Sequence, residues 1–331
     1  MSSRNDELIQ WLIEIIETKQ FTLNPASEDA SFRSYFRLKV KSENSHKSFI
    51  VMDAPPEHED CAPFIHVQKL LFSQQINVPE IFAFNPDKGF MLLSDFGSTL
   101  LLDELAENTA DELYRKAINE LIALQAVDDK GTLPLYDAKS LLTEMELFTD
   151  WFIGKHLAHE LSQSQQKVLK QTHALLIDNA TSQPQVLVHR DFHSRNIMLT
   201  DNQPGIIDFQ DAVVGPITYD LASLLKDCYV SWPSESVNQW VKYYLTQYQQ
   251  KHQINHSFDQ FIRWFDLMAA QRHLKAIGIF CRLYYRDGKK QFLYDIPRTM
   301  KYLITTCDKY HELADFGVLL AELQPSIINN P

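Results

Sequence analysis

The chain has 331 residues, of which 45% are hydrophobic and 22% charged, and its formal net charge is −12. That length can build two lobes with substantial cores, and the composition is ordinary for a globular protein. An acidic surface repels nucleic-acid backbones and anionic membranes, so neither is an expected partner.

The segment Met1 to Asp6 is polar and lacks the form of a signal peptide, and no apolar run is long enough to span a bilayer. The expectation is a cytoplasmic enzyme of bacterial type. Leu8, Trp11, Leu12, Ile15 and Ile16 recur at helical spacing and predict a helix over Glu7 to Thr18. Alternation over Ser31 to Val40 predicts a strand, with Arg33, Tyr35, Arg37 and Lys39 on one face and Phe32, Phe36, Leu38 and Val40 mostly on the other. A polar turn follows over Ser42 to Ser48, then a strand at Phe49 to Met52 and a helix from about Pro63 to Gln75. Two more strands, Val78 to Phe84 and Phe90 to Leu93, flank the turn Asn85 to Gly89. From Leu100 onward the pattern is mainly helical, apart from a hairpin within 186–208. This is an α+β chain with a small sheet-rich lobe and a larger, mainly helical one. Four scattered cysteines, Cys61, Cys228, Cys281 and Cys307, lack metal-ligand spacing and read as reduced, mostly buried thiols.

The hairpin region carries the chemistry. Val188-His189-Arg190-Asp191-Phe192-His193-Ser194-Arg195-Asn196 is followed by Ile206-Ile207-Asp208-Phe209-Gln210. Phosphoryl transfer needs a carboxylate to take the acceptor proton, and hard oxygens to hold Mg²⁺ against the phosphates of ATP. Asp191 is the candidate base, and Asn196 and Asp208 are the candidate metal ligands. Between them Ile197 to Thr200 reads as a strand, Asp201 to Gly205 as a turn, and Gly205 to Ile207 as a return strand. Asp95-Phe96-Gly97 and Asp315-Phe316-Gly317 spell a familiar metal-binding tripeptide more closely, but neither follows such a loop, so neither is assigned a metal.

With its flanking segments the motif resembles the protein-kinase-like fold in its small-molecule branch, the aminoglycoside phosphotransferase and choline kinase group. The most specific part is His189 through Asp220, with Gly215-Pro216 and Tyr219-Asp220-Leu221-Ala222. Further phrases resemble the bacterial N-acetylmuramate/N-acetylglucosamine anomeric kinases of cell-wall recycling: Asp29 to Arg37, Val51 to Pro56, Asp208 to Val213, and Gln271 to Lys275 with Gly278-Ile279-Phe280. The resemblance implies a bilobal fold and transfer of the ATP γ-phosphate to the C1 hydroxyl of an amino sugar. It implies a nucleotide-binding lobe over 1–95, with adenine beside Met91 to Asp95 and Leu93 and Asp95 among the contacts. The lobe over 96–331 would hold the catalytic loop and the acceptor site. It also implies that Asp220 braces the loop.

Two departures accompany the resemblance. The phosphate-covering segment Ser27 to Ser34 has no glycine, so Ala30 and Ser31 would approach the nucleotide with their backbone N–H groups, or the segment is a surface hairpin. The third strand ends in Met52-Asp53 where kinases carry a lysine. Arg33 and Arg37, next to Phe32, are the leading substitutes; the alternative is a solvated charged strand face, or a pseudokinase. Asp53 itself could touch sugar or metal.

Around the loop, His189 reads as structural support. His193 is a γ-phosphate contact or a loop residue bonded to backbone. Arg195 faces phosphate or pairs with a carboxylate. Asp211 orients a sugar hydroxyl or is solvated. For the acceptor, the stretch 264–298 offers Arg272, His273, Lys275, Arg282 and Arg298, cations suited to a carboxylate such as the lactyl group of N-acetylmuramate. Cationic acceptors such as aminoglycosides or choline suit that basic stretch poorly; another alcohol, including homoserine or a different sugar, is the remaining enzymatic alternative.

Overall fold

A computed structural model describes residues 3–28, 32–41, 46–252 and 255–329. The chain divides into two compact units: 1–99 with 198–211, and 100–197 with 212–331.

The first unit is a sheet covered by a helix. Helix α1 (Arg4–Ile16) starts with a capping box between Ser3 and Asp6 and turns off at Glu17 in the left-handed conformation. Strands β1 (Phe21–Glu28), β2 (Ser34–Lys41) and β3 (His46–Asp53) precede helix α2 (Ala62–Ser73), and β4 (Ile81–Asn85) and β5 (Phe90–Ser94) follow it. The strands form one antiparallel sheet in the order β1-β2-β3-β5-β4. Leu8, Trp11 and Leu12 of α1 pack with Leu38, Val51, Phe90 and Leu92 of the sheet. Each such side chain adds about 1.5–3 kcal/mol by burial. Arg4 ties the start of α1 to the end of β3 through Asp53, with Nε 2.9 Å from its carboxylate.

Sequence alternation missed β1. Pro25 interrupts its pattern, and the pairing with β2 shifts register between Pro25 and Ser27. An edge strand tolerates that, because a proline there forfeits no interior ladder bond. The strand expected from Val78 begins only at Ile81, after Pro79, and β3 starts at His46 rather than Phe49. Ala30, Ser31 and residues 42–45 lie outside the described residues.

The second unit opens with the short helix α3 (Leu101–Glu104) and continues through α4 (Ala110–Gln125) and α5 (Ala138–Leu147), which runs on as a π-helical stretch over Phe148–His156. Helix α6 (Gln163–Thr181) leads to β6 (Gln185–Val188). Next along the chain comes a minimal hairpin of β7 (Ile197–Met198) and β8 (Gly205–Ile206), whose residues from Met198 on belong to the first unit; back in the second unit, β9 (Val213–Pro216) pairs antiparallel with β6. Helices α7 (Tyr219–Leu225), α8 (Ser234–His252), α9 (Phe258–Asp287), α10 (Ile296–Lys309) and α11 (Ala314–Asn329) complete the chain. The 30-residue α9 is capped by the Ser257 side chain and stopped by Gly288 at φ +70°; at 1.5 Å per residue it spans about 45 Å. Met145, Phe148, Phe152, Leu274, Ile277 and Cys281 belong to the large core built around it. Cys281 and Cys307 are buried, Cys61 and Cys228 half-buried, and all four are free thiols. Among the described residues no helix is long and apolar enough to cross a membrane.

The two rejected tripeptides have packing roles. Asp95 holds Arg37, Phe96 covers Gly205 so closely that a Cβ there would lie 2.5 Å from its ring, and Phe316 is buried in the helical core.

Candidate active site

The loop 189–196 leaves β6 and is pinned at most of its backbone N–H groups. The Asp220 carboxylate, on the first turn of α7, accepts the N–H of His189 at 2.6 Å and of Arg190 at 3.0 Å. Arg190 adopts φ +78°, a left-handed conformation that costs a non-glycine residue about 1–2 kcal/mol. Its surroundings offset that cost. Its guanidinium donates to Glu144 of α5 and lies 5.6 Å from the Tyr136 ring, and its carbonyl accepts Arg272 Nη1 at 2.8 Å. His193 N–H donates to the Asp191 carbonyl at 3.0 Å, and Asn196 N–H to the His193 carbonyl at 2.9 Å. Ser194 is bound by Asp227, and its carbonyl accepts the Leu102 N–H at 3.1 Å. His189 is buried, edge-on to Phe192 at 5.8 Å.

Asp191 is half-buried at one wall of a cavity of about 110 Å³ in the second unit. His193, Asp227, Tyr229, Arg272 and Lys275 are among its polar lining, and Ala276, Ile279 and Phe280 its apolar side. Burial alone would raise the Asp191 pKa; the charge of Lys275, with smaller contributions from His193, Arg272 and His189, outweighs it and holds the group at about 2. Asp191 is therefore ionised throughout the neutral range. Burial lowers the His193 pKa below its ordinary value, against the pull of Asp227 and Asp191.

The acceptor candidates separate in space. Arg272 lies over the Tyr219 ring at 4.5 Å, and Lys275 reaches Tyr219 Oη at 3.1 Å and Glu144 at 3.2 Å. His273 binds the Lys226 carbonyl through Nε2 at 2.9 Å and stacks on Tyr302 at 4.9 Å. Burial drives the His273 pKa to about 3, so the ring is neutral and Nε2 carries the proton it donates. These three line the cavity; Arg282 and Arg298 do not. Arg298 donates to the Cys228 carbonyl at 2.6 Å and to Asp295 at 3.1 Å. Arg282 is half-buried, and its Nε has no hydrogen-bond partner among the described residues.

Asn196 donates its Nδ2 to the Asp191 carbonyl at 3.0 Å, which turns its amide oxygen away from that carbonyl. In the first unit Asp208 sits at φ +65°, a conformation aspartate tolerates, and accepts Gln210 Nε2 at 2.8 Å. The adjacent Phe209 is buried against Phe64 at 4.9 Å. An amide oxygen and a carboxylate are hard donors of the kind Mg²⁺ takes alongside phosphate oxygens. Among the described residues no three His, Cys, Asp or Glu side chains gather as a metal cluster.

Also in the first unit, Arg37 forks onto Asp95, with Nε at 2.8 Å and Nη2 at 3.2 Å, and donates to the Gly97 carbonyl at 2.6 Å. Burial would raise the Asp95 pKa, but hydrogen bonds from Arg37, Ser48 and the Gly97 N–H lower it. Arg33 pairs with Glu59 at 3.1 Å, and Phe32 donates its N–H to the same Glu59 and stacks on His58 at 4.7 Å. Leu93 is buried in β5, opposite Ile50. Asp211 is exposed.

Glu144, Asp227 and Tyr136 escaped sequence reasoning, and Tyr219 entered only as part of a family phrase, with no role assigned. Each acts through partners 30 or more residues away or sits within an ordinary helical pattern, so no local signal marks them.

The model of a family described as the phosphotransferase enzyme family matches residues 22–261. The chain belongs to that family. Relatives of this phosphotransferase include the N-acetylmuramate/N-acetylglucosamine kinase of Pseudomonas aeruginosa, 46% identical over 302 residues that cover 91% of this chain and 88% of that one. The kinase of the same name from Neisseria meningitidis is 42% identical over 325 residues, covering 97% and 96%. Among solved structures, choline kinase from Cryptosporidium parvum superposes with a TM-score of 0.65 at 14% identity, covering 96% of this chain and 98% of that one. ADP-bound aminoglycoside phosphotransferase APH(2'')-Ib gives 0.58 at 15%, covering 89% and 97%. At such identities the likeness establishes the fold: the phosphotransferase is an α+β protein of the kinase-like class.

Proposed function

We propose that this phosphotransferase transfers the γ-phosphate of ATP to the anomeric C1 hydroxyl of N-acetylmuramate and N-acetylglucosamine, giving the sugar 1-phosphate, and that it works in the cytoplasm. The relatives at 42–46% identity carry the choice of sugar. The observation that carries the site is Asp191 ionised at the wall of a cavity with Arg272 and Lys275.

In this reading Asp191 orients the acceptor hydroxyl and receives its proton as the new oxygen–phosphorus bond forms and the bond from the γ-phosphorus to the β,γ-bridging oxygen breaks, releasing ADP. An anomeric hydroxyl is more acidic than an ordinary alcohol, so a carboxylate kept weakly basic by Lys275 serves. Mg²⁺ would supply neutralising charge to the phosphates, and on the spacing of the motif Asn196 and Asp208 would be its protein ligands. Arg272, His273 and Lys275 line the acceptor site, with Arg282, Arg298 and Asp211 as outer contacts. Phe32, Arg33, Arg37, Leu93 and Asp95, with Ser31 from outside the described residues, serve the nucleotide, and His193 serves its γ-phosphate. Arg33 and Arg37 are anchored on Glu59 and Asp95, so in this role they are held in place before ATP arrives. His189 and Asp220 support the loop.

A choline or aminoglycoside acceptor is a cation, and the charges of Arg272 and Lys275 oppose it. The test is an ATP-consumption screen with N-acetylmuramate, N-acetylglucosamine, glucose, choline and kanamycin, with phosphorus NMR of the product. Turnover with the two amino sugars and a C1 phosphate is expected. Transfer to C6, or turnover only with another acceptor, would overturn the reading.

A further inference from the structure

We infer that Arg195 reads the carboxylate of the acceptor and so sets the preference between an amino sugar that carries one and an amino sugar that does not. The inference rests on the amino-sugar reading above, because N-acetylmuramate bears a lactyl carboxylate and N-acetylglucosamine lacks it.

The cations around the cavity are already engaged. Lys226 pairs with Asp266 at 2.7 Å and Lys275 with Glu144 at 3.2 Å. Arg272 is spent on the Arg190 carbonyl and the Tyr219 ring, and Arg298 on Asp295 and the Cys228 carbonyl. Arg195 differs. It is exposed, and among the described residues no carboxylate lies within ion-pair distance of its guanidinium. That guanidinium is nevertheless held in place, with its carbon 3.7 Å from the centre of the Tyr229 ring.

Tyr229 itself lines the cavity, and its ring meets that of His193 at 5.3 Å, two residues from Asp191. Arg195 therefore stands beside the space into which Asp191 faces. Asp295 feels the charge of Arg195 ahead of that of Arg298, but only Arg298 lies within ion-pair distance of it. Stacking occupies the flat face of a guanidinium and leaves its in-plane N–H groups directed outward, the geometry that grips a carboxylate bidentately. Ordering by Tyr229 also removes side-chain entropy before any ligand binds. A pre-ordered arginine with no carboxylate at ion-pair distance among the described residues keeps its N–H fork available to an anion.

The experiment measures kcat/KM for both sugars at saturating ATP in wild type, Arg195→Ala, Arg195→Lys and Arg282→Ala. The expected result is a fall of about tenfold or more in the N-acetylmuramate to N-acetylglucosamine ratio for Arg195→Ala, through KM, with partial recovery in Arg195→Lys. An unchanged ratio, with both sugars falling together and the KM for ATP rising, would place Arg195 on the phosphates and overturn the inference alone. A shifted ratio in Arg282→Ala but not in Arg195→Ala would transfer the role to Arg282 and overturn it likewise. Wild-type enzyme inactive on both sugars would overturn the parent reading and this one with it.

Discussion

Ser194 gives both its backbone N–H and its hydroxyl to one oxygen of Asp227, at 3.0 and 2.6 Å, and both residues are buried. The second carboxylate oxygen accepts the Tyr229 N–H at 3.0 Å. The middle of the loop is thus tied to the segment after α7 by a single side chain. Removing a hydroxyl costs about 1 kcal/mol, whereas removing the carboxylate strands two buried donors at about 1–3 kcal/mol each. Asp227→Ala should therefore lower the unfolding temperature clearly more than Ser194→Ala. Thermal denaturation of the two variants checks this; equal losses would mean the backbone bond contributes nothing.

The assignment of Asp191 predicts a separation of chemistry from binding. Asp191→Asn keeps shape and loses the proton acceptor, so kcat should fall by roughly 10²- to 10⁴-fold. ATP affinity, measured by calorimetry, should stay close to wild type. A variant within about tenfold of wild-type turnover, equal to about 1.4 kcal/mol of barrier, would remove Asp191 from that role.

Asp220 gives the pH prediction. Burial raises its pKa from 3.8 to about 7 in the folded chain, despite the opposing N–H bonds from His189 and Arg190. The folded state then holds the proton more tightly than the unfolded state. The group's stabilisation is complete below its unfolded value and is lost as pH rises toward about 7. The stability of wild type relative to Asp220→Asn should decline steadily between about pH 4 and 7, as read by denaturant titrations at several pH values. A difference that stays flat, or rises, contradicts the sign.

Gly278 marks where α9 meets the end of α5. A Cβ there would lie 2.4 Å from the Leu147 carbonyl carbon and 2.5 Å from its oxygen, both backbone atoms that cannot swing aside. Overpacking of this kind costs about 1–3 kcal/mol or more. Gly278→Ala should reduce stability by at least that amount in chemical denaturation, although alanine is the better helix former. A neutral or stabilising outcome would show that the helices can part freely.

The reach of sequence reasoning here follows the range of the interactions. The family to which the chain belongs was legible in the loop motif at His189–Asn196 with Asp208, because those residues sit at short, fixed spacing. The face of β2 was legible too: Phe36, Leu38 and Val40 do pack with the α1 core, and period-two alternation reports that. The partners of Arg33 and Arg37 were not, because strand periodicity gives a direction but never names the carboxylate waiting there, Glu59 or Asp95. Strand β1 was hidden by Pro25, whose tolerance depends on lying at a sheet edge, a property of topology. The left-handed backbone of Arg190 had no glycine to announce it; it exists because Asp220, Glu144 and Arg272, from three different helices, hold it.

Glu144 receives Arg190, Lys275 and the Tyr136 hydroxyl together, and the two positive charges with the hydroxyl's hydrogen bond keep its carboxyl ionised although it is largely buried. Positions 144, 190 and 275 consequently behave as one coupled block. Anyone redesigning this phosphotransferase for a new acceptor by altering Lys275 will also disturb the backbone bend at Arg190 that precedes Asp191, and single-site effects at these three positions will not sum.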